Sequence, residues 1–83
     1  MEYRTRLDKI PTKYRREVEN QLNSICDAIQ SKREVMDLTQ EQLAEKLGIT
    51  TIALQFIEQK RRYPSLPLLA YICRILEIKI HIG

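Results

Sequence analysis

Residues 38–76 read LTQEQLAEKLGITTIALQFIEQKRRYPSLPLLAYICRIL, and the fold is decided there. Thr39 followed three residues later by Gln42 is the pattern of a capping box, in which hydroxyl and side-chain amide satisfy each other's backbone N–H groups, so a helix starts at Gln40. Leu43, Ala44 and Leu47 form its inward face, and Gly48 supplies the residue that takes a left-handed conformation to end it. Ile49 points inward and Thr50 caps a third helix. Leu54 and Ile57 carry its apolar face to about Gln59. Two short helices therefore flank a tight turn. The segment KRRYPS follows, with Ser65 as N-cap of a fourth helix and Pro67 tolerated in its first turn. Leu66, Leu69, Ile72, Cys73 and Leu76 give that helix its buried stripe.

Upstream, Tyr14, Val18, Leu22, Ile25 and Ile29 recur at helical spacing and predict a long first helix from about Lys13 to about Glu34, with Thr12 as N-cap. Its opposite face, Arg16, Glu19, Asn20, Asn23, Asp27 and Gln30, reads as solvated surface. Downstream, Ile78, Lys79, Ile80, His81 and Ile82 switch to a period of two and predict a strand. A lone apolar strand is an aggregation hazard unless paired, and the natural mate is its symmetry copy. Ile78, Ile80 and Ile82 are therefore the expected dimerisation residues. The fold class expected is all-α, four helices with a short C-terminal β-strand that pairs across a dimer. The expected division is a basic N-terminal extension over 1–12 and one domain over 13–83, with a core of 22–77 and the strand at 78–82.

Composition narrows the function. The 83 residues suit one small domain, whose modest core favours association with a second subunit. With 43% hydrophobic and 30% charged residues, the chain reads as globular. It has no apolar run of the roughly 20 residues a membrane span needs. The charged MEYRTRLDKI start lacks the apolar centre of a secretory signal, so a cytoplasmic location and no membrane partner are expected. Cys26 and Cys73 sit in apolar periodic stretches and read as reduced packing residues. With His81 the single histidine, the raw material for a metal site or a catalytic constellation is missing, so no enzyme, no metal and no cofactor are expected. The net charge of +3 permits a polyanionic partner. The cations gather between Arg4 and Arg16 and again at Lys60, Arg61 and Arg62. The first group has three open readings: an extension of helix 1, a contact to DNA backbone, or a disordered segment.

The Thr-Gln-Glu-Gln-Leu-Ala opening at 39–44, Gly48 in the turn, the Leu54, Ile57 and Glu58 spacing and the Pro64-Ser65-Leu66 entry together resemble the Cro and C1 repressor (XRE) family of helix-turn-helix domains. The resemblance is close over Leu38–Leu76 and looser over Leu22–Met36. It implies a lambda-repressor-like fold whose third helix enters the major groove of double-stranded DNA. By that resemblance Thr50, Thr51, Ile52, Gln55 and Phe56 meet base edges, and Gln40 meets a phosphate at a helix N-terminus. Gln55 suits adenine, while Ile52, Phe56 and the threonine methyls suit thymine methyl groups. Lys60, Arg61 and Arg62, which follow the recognition helix, are expected at further phosphates. Lys60 stands where the family usually has glycine and is expected to adopt a left-handed conformation at a cost of about 1 kcal/mol.

The tail is similar to that of antitoxins from persistence-type toxin-antitoxin modules, which implies a homodimer that represses its own operon and a possible cognate toxin protein as partner. The competing reading is a protein-interaction module that keeps the scaffold without DNA binding, with Ile52 and Phe56 as an apolar docking patch.

Overall fold

A computed structural model describes residues 7–79, in which four helices follow a short 3-10 turn at Leu7–Lys9. The helices are α1 (Thr12–Val35), α2 (Gln40–Leu47), α3 (Thr51–Glu58) and α4 (Leu66–Leu76).

Three of the four starts are made by the expected side chains. The Thr39 hydroxyl accepts from Gln42 N at 3.0 Å while Gln42 Oε1 accepts from Thr39 N at 2.9 Å, so both halves of the capping box are present. Thr50 Oγ1 accepts from Ala53 N at 3.0 Å, and Ser65 Oγ from Leu68 N at 3.3 Å. Helix α1 differs. Pro11, not Thr12, is its cap residue and makes no side-chain bond, Thr12 being already helical. Arg15 secures this end, its Nη2 donating to the carbonyls of Asp8 at 3.3 Å and Ile10 at 3.0 Å.

Every helix of the core ends on an unusual backbone. Gly48 closes α2 at φ 69°, and Asp37, Lys60 and Glu77 lie at φ 56°, 63° and 57° just past α1, α3 and α4. Lys60 thus takes the left-handed conformation expected of it; Asp37 and Glu77 do so as well, without a glycine's freedom. At the end of α4, Ile78 N donates to Cys73 O at 2.9 Å, the wrap-around bond of a Schellman ending.

The core joins Cys26 and Ile29 of α1, Leu43, Ala44 and Leu47 of α2, Leu54 and Ile57 of α3, and Ile72 and Leu76 of α4. Two expectations of burial fail. Tyr14 is exposed and Val18 and Leu22 only half-buried, because among the described residues the core engages α1 only from Ile25 onward. Leu66, expected inside, is 76% exposed at the first position of α4, and Leu68 and Leu69 pack on the core in its place.

No strand occurs among the described residues. Ile78, expected to begin one, is half-buried against the core and held by its bond to Cys73. Ile80, His81 and Ile82, the rest of the expected strand, lie outside the described residues. None of the helices is long and apolar enough to cross a membrane, among the residues described.

Candidate nucleic-acid interface

Helices α2 and α3 meet through a turn in which Gly48 N donates to Glu45 O at 3.2 Å and Ile49 N to Ala44 O at 3.1 Å. Ala44, 1% exposed, lets the two helices pack closely. With Leu43, Leu47, Leu54 and Ile57 buried beneath, α3 is rigidly seated and its outer face is left to solvent. Thr50 and Ile52 are exposed on that face, and Thr51, Gln55 and Phe56 are half-exposed.

A polar chain of four side chains runs under this face. Gln55 Nε2 donates to Gln40 Oε1 at 3.4 Å, and Gln40 Nε2 donates to Glu58 Oε1 at 3.0 Å. The Glu58 carboxylate, only 5% exposed, is held by Arg33 through Nε at 2.8 Å and Nη2 at 3.1 Å. Arg33 Nη1 also donates to Leu38 O at 2.7 Å, so one guanidinium ties α1, the α1–α2 connection and α3 together. Its hydrogen bond to Glu58 raises the pKa of the Arg33 guanidinium, against the opposing effect of burial. The consequence for the two glutamines is orientational. A carboxylate can only accept, so Gln40 must turn its NH₂ toward Glu58, which leaves its carbonyl for the Gln55 amide. With one N–H given to Gln40, the Gln55 amide retains a second N–H and a carbonyl oxygen, a donor and an acceptor of the kind that pairing with adenine requires.

The basic segment after α3 is divided. Lys60 Nζ lies 2.6 Å from Asp27 Oδ1, a contact that raises the lysine pKa and turns the side chain toward α1. Arg61 stacks instead on the outer face of α3, its guanidinium carbon 4.6 Å from the centre of the Phe56 ring. Phe56 O accepts from both Arg61 N at 2.9 Å and Arg62 N at 3.3 Å, which sets these two cations beside α3. Tyr63 fixes the far end of the segment through its hydroxyl, which donates to Asn23 Oδ1 at 2.9 Å.

The fold thus brings Gln40 to Gln55, and Arg61 to Phe56, while Lys60 turns to α1 and Ile78 to the core. Sequence reasoning gave Arg33, Asn23 and Asp27 no role. Arg33 had a signal: it continues the buried spacing of Cys26 and Ile29 by one more step, and Glu58 ends an apolar run, so each implied a buried partner. Asn23 and Asp27 had none, because their partners Tyr63 and Lys60 lie far along the chain.

A helix-turn-helix family model matches residues 29–82, more than half of the chain. No curated protein and no solved structure matches it. The match spans the capped α2–turn–α3 pair and the core on which it is seated, and the chain belongs to the helix-turn-helix family of DNA-binding transcription regulators, in its XRE branch.

Proposed function

We propose that the chain is a sequence-reading repressor that binds a pseudo-palindromic operator as a homodimer and acts by occluding a promoter. The observation that carries this reading is the Arg33–Glu58–Gln40–Gln55 chain, because it presents one oriented amide at the centre of the recognition face. Gln55 reads adenine; Thr50, Thr51 and Ile52 meet neighbouring base edges, and Phe56 lies at the margin of the same face. Thr50 accepts the Ala53 amide with its oxygen, so its methyl and hydroxyl proton are what it offers to DNA. Gln40, with the free amides at the start of α2, meets a phosphate. Arg61 and Arg62 clamp the backbone beyond, and Lys60 contributes less because Asp27 already engages it. Half-sites then lie about one helical turn, roughly 34 Å, apart. The similarity of the tail to antitoxins supports an autoregulating antitoxin with a cognate toxin as second partner.

Selection of randomised duplexes against the protein, with Gln55→Ala as control, tests the reading. Enrichment of a two-fold symmetric site whose preference changes at one base pair in the variant supports it. Enrichment of nothing, with no salt-sensitive DNA affinity, overturns it and favours a protein-docking role for the exposed Ile52.

A further inference from the structure

Helix α1 carries a second stripe, of which only Ile25 packs against the core of the domain. Its 24 residues span about 36 Å, close to the 38 Å longest extent of the molecule. The core takes Cys26 and Ile29 from one side, and Arg33 continues their line to Glu58. Displaced around the helix, Tyr14, Val18, Gln21, Ile25, Ala28, Lys32 and Val35 follow the alternating four-and-three spacing of a coiled-coil seam over the whole of α1. These residues remain open to solvent to differing degrees: Val35 is 75% exposed and Tyr14 48%, Gln21 and Ala28 are exposed, and Val18, Ile25 and Lys32 half-exposed. A groove of about 490 Å³ opens beside the middle of the stripe, between Gln21, Ile25 and Ala28 and the end of α4 at Cys73 and Ile78.

We infer that this seam pairs with the same seam of a second copy, antiparallel, about a two-fold axis between Cys26 and Asp27. In that register Val18 meets Val35 of the other copy, Gln21 meets Lys32, and Ile25 meets Ala28, so from Val18 to Val35 each apolar residue opposes an apolar one and each polar residue a polar one, while Tyr14 lies beyond the end of the other α1. Sliding by one heptad in either direction sets Lys32 against Tyr14 or against Ala28 and leaves its ammonium facing an apolar layer. This match of the stripe to its own reverse is the feature that selects a second copy over an unrelated helix, since a two-fold interface must be self-complementary. Asp27 and Asn23, which hold the segment after α3, lie on the opposite side of α1 from the seam, so pairing leaves the recognition face uncovered.

The pairing is tested without DNA, so its failure is separable from failure of the repressor reading. Sedimentation of the full chain at micromolar concentration is expected to show a dimer. Gln21→Lys places two lysines in each polar layer, and Lys32→Glu removes the cation from it; both residues lie outside the core, and far-UV circular dichroism should not change. The double variant Q21K/K32E restores an opposite-charge layer. We expect Q21K to raise the dimer dissociation constant about tenfold or more, because like charges brought together at an interface are strongly unfavourable, and the double variant to recover it. A monomeric parent overturns the inference. So does a dimer indifferent to Q21K, and if that dimer is lost in Ile78→Lys, the pairing lies at the C-terminal segment instead.

Discussion

Arg33 holds Glu58 through two bonds, Nε to Oε2 at 2.8 Å and Nη2 to Oε1 at 3.1 Å, and so joins the last turn of α1 to the last residue of α3. The acceptor is nearly sealed from water, and the same carboxylate takes the amide of Gln40. Arg33→Ala strands a buried charge and is expected to cost about 3–5 kcal/mol, read by urea denaturation. The paired replacement Arg33→Met with Glu58→Leu should recover most of that loss, because no charge is left unpaired. It should still impair DNA recognition, since Gln40 then has no acceptor to orient it.

Gln55→Ala should remove adenine discrimination at a single position, at a cost of about 1–3 kcal/mol for the selected site. On a duplex with that base pair replaced, parent and variant should bind alike. Equal losses on both duplexes would mean that Gln55 supports the helix and does not read a base.

Arg61 and Lys60 should separate in their salt dependence. Titrations of operator affinity against salt are expected to lose about 0.9 from the slope for Arg61→Ala, one phosphate contact's share. Lys60→Ala should lose less, because its ammonium already faces Asp27.

Glu77 ends α4 at φ 57°, a conformation that costs an L-residue roughly 1–2 kcal/mol and glycine nothing. Glu77→Gly should therefore stabilise the domain by about 1 kcal/mol and raise Tm by roughly 4–8 °C, measured by a thermal melt. Lys60→Gly should gain less, since it gives up the Asp27 contact while relieving the same strain.

Burial pushes the Cys26 and Cys73 thiols up, Lys60 partly offsetting this at Cys26. A thiol raised in the folded state contributes stability below its unfolded value and loses it as pH rises further, because the unfolded chain then releases the proton first. Stability should thus decline above about pH 8.5. Cys26→Ala should flatten that decline whatever it does to the neutral-pH value, and both thiols should react with iodoacetamide only on unfolding.

What was legible in the chain follows from the range of each interaction. The capping box of Thr39, the caps at Thr50 and Ser65 and the turn at Gly48 all act within a few residues, so the bounds of α2, α3 and α4 could be read directly, and with them the helix-turn-helix family. The periodicity of α1 revealed a helix but not which of its apolar residues a partner covers, so Tyr14 and Val18 were assigned to a core that ends before reaching them. The tertiary structure alone joined Arg33 to Glu58, 25 residues apart, and Gln40 to Gln55, 15 apart. It alone sent Lys60 to Asp27 and Arg61 to Phe56. Side chains of this kind choose among several partners of similar chemistry, and only the packing of the helices on one core settles which partner comes within hydrogen-bonding reach.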